Sequence, residues 1–187
     1  MLPYVASGAY GIVEWKDGAV LLQKRSGSGD TGAAVRQVLT ARFEAEALPG
    51  DLNAPDLPSQ GASEGVARRV TPDLVNASGK TAIVFGPYAR LYPGKYRVNF
   101  LMKVEGNPGS GPLATVDVFS HLDGYPRAVR EVTAADFARP GEYQPIALEF
   151  DLGQTLDDVE FRAMYGGSGE VWLDAIEVVP LAVQLPP

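Results

Sequence analysis

Two short segments, far apart in the chain, carry carboxylates at a spacing that could do chemistry. Phe43-Glu44-Ala45-Glu46-Ala47 sets Glu44 and Glu46 two residues apart, and the closing stretch Glu170-Val171-Trp172-Leu173-Asp174-Ala175-Ile176-Glu177-Val178 carries Asp174 among apolar neighbours. In a strand, side chains two residues apart share a face. Glu44 and Glu46 would then point the same way, and Asp174 would fall in register with Trp172, Ile176 and Val178. Burying an unpaired carboxylate is costly, so Asp174 is expected to find a cation, a salt bridge or several hydrogen bonds.

Other chemistry is sparse. His121 is the single histidine and there is no cysteine, which removes thiolate metal sites, disulfides and cysteine nucleophiles together. A catalytic triad would need His121 as its base, yet no Gly-x-Ser-x-Gly elbow leads from a strand into a helix. His121-Leu122-Asp123-Gly124-Tyr125 reads as a hairpin loop, where a surface histidine is the ordinary outcome. Nothing singles out a carboxylate pair for glycoside hydrolysis. The glycine clusters Gly27-Ser28-Gly29 and Gly166-Gly167-Ser168-Gly169 lack the lysine and strand-to-helix context of a phosphate-binding loop. The expectation is a chain that is not an enzyme.

Charge narrows the partners. Net charge is -7, from 23 acidic and 16 basic residues, and cations cluster only as the pairs Lys24-Arg25 and Arg68-Arg69. Such a surface repels phosphate backbones and anionic headgroups, so nucleic acid is not an expected partner. The longest apolar runs are a few residues, so direct membrane insertion by this chain is not expected, and the first residues lack the pattern of a signal peptide.

The elements that must position these groups read as strands. Gly 21 and Pro 15 among 187 residues favour many short strands joined by tight turns. Tyr96, Val98, Phe100, Met102 and Val104 alternate with Lys95, Arg97, Asn99, Leu101 and Lys103. Similar alternation runs through Ala114 to Val118, Ile146 to Leu152 and Val159 to Tyr165, and Thr81 to Phe85 is a further β-rich run. The expected fold is an all-β antiparallel sandwich of jelly-roll type. Residues 10–25 read as a β-hairpin around Asp17-Gly18, and Ser26 to Gly32 as a flexible joint, so the division expected is 1–32 as an appendage and 33–187 as the sandwich. Residues 34–48 suit either a helix, through Val35, Val38, Leu39 and Phe43, or a strand from about Arg42 to Ala47; only the strand would align Glu44 with Glu46. Gly50 to Thr71 reads as a long loop, and Thr133 to Phe137 as a short helical turn.

The pieces Phe43-Glu44-Ala45-Glu46, Gly61-Ala62-Ser63-Glu64-Gly65, Val84 through Val98 with its Gly86-Pro87-Tyr88-Ala89-Arg90-Leu91-Tyr92-Pro93-Gly94 core, and Val171-Trp172-Leu173-Asp174-Ala175-Ile176 together resemble carbohydrate-binding modules of families 6 and 35, galactose-binding-like jelly rolls, over about residues 41 to 180. The central phrase also resembles modules attached to bacterial cell-envelope glycosyltransferases. The resemblance implies a structural Ca²⁺ held by Glu44, Glu46 and Asp174. Its oxygen-only ligands at roughly 2.3–2.6 Å would suit carboxylates. It also implies glycan contact by loop aromatics and polar groups, for which His121, Asp123, Tyr125 and Tyr165 are the candidates, with Tyr88 and Tyr92 nearer the central strand. Tyr96 and Trp172 are expected in the core, since large rings in strands usually pack there. The functions so implied are a non-catalytic, extracytoplasmic glycan-binding module positioning a neighbouring enzyme, as part of a larger membrane protein, or a structural or protein-interaction module on the same sandwich.

Overall fold

The computed structural model describes residues 10–16, 19–24, 40–51, 54–75 and 81–183. Strands β1 (Tyr10–Lys16) and β2 (Ala19–Lys24) pair antiparallel as a two-stranded sheet. The Asp17-Gly18 turn, the expected joint and residues 25–39 lie outside the described residues.

The remaining strands form two antiparallel sheets. These are β3 (Ala41–Glu44), β4 (Asp56–Pro58), β5 (Val66–Val70), β6 (Ala82–Val84), β7 (Pro87–Leu91), β8 (Gly94–Glu105), β9 (Ala114–Ser120), β10 (Tyr125–Val132), β11 (Gln144–Leu152), β12 (Leu156–Tyr165) and β13 (Glu170–Val183). One sheet runs β10-β9-β12-β6, with β7 also on β12; the other runs β11-β8-β13-β5-β4, with β3 also on β13. The sandwich expected from alternation is the fold observed.

The alternation has the physical cause assigned to it. Tyr96, Val98, Phe100, Met102 and Val104 are buried, as are Ile146, Leu148 and Phe150 of β11 and Val159, Phe161 and Ala163 of β12. Rings knit the two sheets. Phe161 of β12 stacks on Phe43 of β3 at 6.3 Å between centroids and lies 6.4 Å from Phe150, which stacks on Tyr96 at 5.4 Å. Thr133 caps a 3-10 turn, Ala134–Asp136, with its hydroxyl and backbone N–H both bonded to the Asp136 carboxylate.

Three expectations are corrected. The segment read as a loop from Gly50 to Thr71 contains β4 and β5. Arg68 of β5 hides the pattern, because it sits on the buried side of its strand and is itself buried. It is held there by Asp56 at 2.8 Å and by donation to the carbonyls of Leu48 (2.9 Å) and Ile83 (3.2 Å). Second, the strand after Arg42 ends at Glu44 and the chain turns into a 3-10 helix, Ala45–Ala47, so Glu44 and Glu46 do not share a strand face. Third, β13 bulges at Asp174. Leu173 pairs with Met102 and Ala175 with Leu101, leaving Asp174 as the extra residue. The bulge flips the register, so Trp172 lies on the outer face and Ile176 on the inner one.

Candidate functional site

The outer face of the six-stranded sheet gathers charged and aromatic side chains around the bulge. Arg42 and Glu177 are cross-strand partners on β3 and β13, and Glu44 lies two residues from Arg42 on the same face. The Arg42 guanidinium donates to Glu44 Oε1 (2.7 Å), Glu177 Oε1 (2.5 Å), Asp174 Oδ2 (3.2 Å) and Ser63 Oγ (2.7 Å). Burial pushes the Arg42 pKa down, but Glu44, Glu177 and Asp174 together outweigh it and raise it. Ser63, in the loop between β4 and β5, donates its backbone N–H to Asp174 Oδ1 at 2.9 Å, and its hydroxyl lies 2.8 Å from Glu44 Oε2 and 3.0 Å from Asp174 Oδ1. Asp174 is thus compensated by a salt bridge and hydrogen bonds.

The three acids named for calcium do not form one site. Glu44 and Asp174 converge, but on Arg42 and Ser63; Glu46 stands on the 3-10 turn, with its Oε2 buried and without a hydrogen-bond partner. Among the described residues no group of three or more acidic or histidine side chains could hold a metal ion. The donor set as arranged, with a guanidinium and a backbone N–H directed at its oxygens, does not fit Ca²⁺.

Beside this cluster, Lys103 of β8 is buried between two rings. Its Nζ lies 4.7 Å from the Trp172 ring centroid and 5.0 Å from that of Tyr143, donates to Ser59 Oγ at 3.0 Å and pairs with Glu105 at 2.6 Å. Ser59 Oγ and the Tyr143 hydroxyl share a hydrogen bond of 2.8 Å, and burial pushes the Tyr143 pKa up to about 12. Arg69 lies over the other side of Trp172 at 5.7 Å and pairs at 2.7 Å with Glu170, which also accepts from the indole N–H at 2.9 Å. The Glu170 carboxyl is held below its ordinary range first by Arg69. Trp172 is buried as expected, but beside Lys103 and Arg69 on the outer face rather than in the cluster between the sheets.

The glycan candidates fall in two places. His121, Asp123 and Tyr125 share the tip joining β9 to β10, whereas Tyr165 does not join them. Tyr125 pairs with Ser120 at one end of β9 and Tyr165 with Ala114 at the other, about 20 Å away at ~3.3 Å per residue. Tyr165 is a core residue whose hydroxyl donates to Gly169 O at 2.6 Å, and burial raises its pKa to about 12. At the tip, Tyr125 and Leu122 are exposed. Arg127 pairs with Asp123 at 2.6 Å and covers one side of the Tyr125 ring at 5.6 Å. His121 Nε2 opposes the buried Glu160 Oε1 at 2.7 Å without a well-aligned hydrogen bond, and meets Phe119 edge-on at 5.1 Å. Asp158 accepts from Ser120 Oγ (2.6 Å) and the Leu122 N–H (3.1 Å). Of the tyrosines before β8, Tyr88 is exposed at a positive φ of 66°, a conformation rare for bulky residues, and Tyr92 is half-buried beside Arg90.

Sequence reading missed Arg42, Ser63, Lys103 and Tyr143. A signal existed for Arg42, since Arg-x-Glu in a strand puts opposite charges on one face. Lys103 stands in the outward set of β8, but its Trp172 neighbour shares that face only because of the bulge.

No family model matches the sequence, and no curated protein matches it. Among solved structures, the chain is similar to the C-terminal CBM6 of LamC, a marine laminarinase from Zobellia galactanivorans, with a TM-score of 0.50 at 15% identity, over 75% of this chain and 98% of that one. It is also similar to an arabinose-bound α-L-arabinofuranosidase, MgGH51, at 0.50 and 12% identity, over 75% of this chain but only 24% of that enzyme. A family 35 carbohydrate-binding module from Clostridium thermocellum aligns at 0.47 and 16% identity, over 74% and 98% of the two chains. The likeness is one of fold, that of carbohydrate-binding modules.

Proposed function

We propose that this chain is a non-catalytic carbohydrate-binding module that positions a neighbouring enzyme on envelope or extracellular glycan, outside the cytoplasm. The observation that carries the reading is the fold likeness spanning 98% of a domain that is itself a CBM6. The β9–β10 tip supplies the chemistry such binding needs: the exposed ring of Tyr125 to lie against the apolar face of a pyranose, with His121 and the Asp123–Arg127 pair beside it to meet hydroxyls. A non-catalytic role accords with the placement of the single histidine, which faces the Glu160 carboxylate rather than a nucleophile. Among the described residues no helix is long and apolar enough to cross a membrane.

A second reading, a protein-interaction module, is favoured by one observation: Leu122, Tyr125 and Val129 are all exposed along β10 and its tip. A glycan-array and affinity-gel screen of the whole chain separates the two. Retardation by a defined polysaccharide, weakened about tenfold or more in Tyr125→Ala, is expected. Absence of any glycan partner would favour the second reading, and turnover of a polysaccharide abolished by one carboxylate substitution would overturn the non-catalytic one.

A further inference from the structure

We propose that the guanidinium of Arg42 does the work of a bound cation, clasping the opening strand, the closing strand and the β4–β5 loop into a metal-independent joint.

The geometry points to this from four directions. The groups that Arg42 bridges come from β3 (Glu44), β13 (Asp174 and Glu177) and the loop (Ser63), segments up to 135 residues apart in sequence. Asp174 is the most buried of the three carboxylates, with its side chain 4% exposed against 24% for Glu44 and 32% for Glu177, and both its oxygens are engaged, as are those of Glu44. A planar guanidinium offers five N–H donors in a fixed fork and stays charged at any ordinary pH, so it can face several carboxylates at once as a compact ion would. Ser63 completes the arrangement. Its backbone N–H, the positive end of a peptide dipole, points at Asp174 Oδ1, where a metal ion would meet repulsion.

The loop is fastened at its other end as well. Ser59 accepts from Lys103, bonds Tyr143 and donates its N–H to Gly65 O at 3.0 Å. Gly61 and Gly65 take positive φ values of 85° and 74°, which let so short a connection fold back on itself. Two side-chain cations therefore pin one loop across the outer face of the six-stranded sheet, Arg42 near its end and Lys103 at its start.

Calorimetric titration of the whole wild-type chain with calcium chloride alone, and thermal melts in millimolar calcium or in EDTA, test the proposal. No binding heat and melting temperatures equal to within about 1 °C are expected. A calcium-dependent rise of several degrees, the sign of an ion that binds only the folded state, overturns it. Arg42→Gln is expected to lower the melting temperature by about 4–10 °C in either buffer, at ~2–4 °C per kcal/mol for a chain of this size. Should that variant fail to fold, Ser63→Ala removes the hydroxyl shared by Arg42, Glu44 and Asp174, Glu177→Gln removes the charge of one Arg42 partner, and each is expected to lower it by about 1–4 °C. Variants at all three positions that melt like the wild type would overturn the clasp.

Discussion

The outer face of the six-stranded sheet and the tip of the five-stranded one use rings and charges in opposite ways. On the six-stranded sheet Trp172 is enclosed, with Lys103 on one side and Arg69 on the other, and the cations there reach acceptors far away in sequence. At the tip of the five-stranded sheet Tyr125 is exposed, and its cationic neighbour Arg127 is tied to Asp123 only four residues away. A ring set among cations that also hold a loop fastens the fold. A ring left open beside locally paired charges costs the fold little to lose and leaves a surface for a ligand. Aromatic side chains alone therefore do not mark a binding face; what else touches them does.

The largest expected effect falls on the core that both faces share. Phe161 touches Phe43 and Phe150 from the opposite sheet, so Phe161→Ala should cost about 3–5 kcal/mol and lower the melting temperature by about 10–15 °C. Differential scanning calorimetry measures it. A loss below about 1 kcal/mol would mean that the two sheets are held together elsewhere, and the contrast between their faces would lose its common base.

The contrast itself is sharpened by a pair of variants. Lys103→Met keeps the aliphatic stem but removes two cation–π contacts and the bond to Ser59, and should cost about 1–2 kcal/mol with a change in tryptophan fluorescence as Trp172 loses its charged neighbour. Tyr125→Ala, at an exposed position, should stay within about 0.5 kcal/mol of the wild type in denaturant unfolding. If the two costs came out equal, the division into fastening and free faces would be wrong.

Much of this was legible in the sequence, and the failures share a cause. The alternation of β8, β9, β11 and β12 could be read because each presents one apolar face inward, a property local to the strand. β4 and β5 could not, because Arg68 is buried by virtue of Asp56 and of two carbonyls on other segments. The bulge at Asp174 leaves no local mark; it arises from how β13 pairs with β8, and it carries Trp172 to the outer face. Glu46 parted from Glu44 because the strand gives way to a 3-10 turn, in a segment whose composition suited helix and strand alike. His121, Asp123 and Tyr125 share one tip because a hairpin is contiguous in sequence, whereas placing Tyr165 requires knowing which end of β9 it faces.

The smallest expected effect is an acid response confined to the tip. Burial pushes the Asp158 carboxyl up, but hydrogen bonds from Ser120 and the backbone of Leu122 and His121, with the charge of His121, outweigh it and hold the pKa below the ordinary 3.8. A carboxylate lowered in the folded state contributes stability that is complete above its unfolded value and disappears as pH falls through the folded one. The Leu122 amide, which donates to Asp158, reports this directly, and its NMR shift should titrate with a midpoint below 3.8. In Asp158→Asn that titration should vanish, while the acid weakening of the whole chain persists in part, since Glu170 and Asp136 are lowered too. A midpoint at or above 3.8 would show that burial outweighs the hydrogen bonds, and the tip would then be held by something other than this carboxylate.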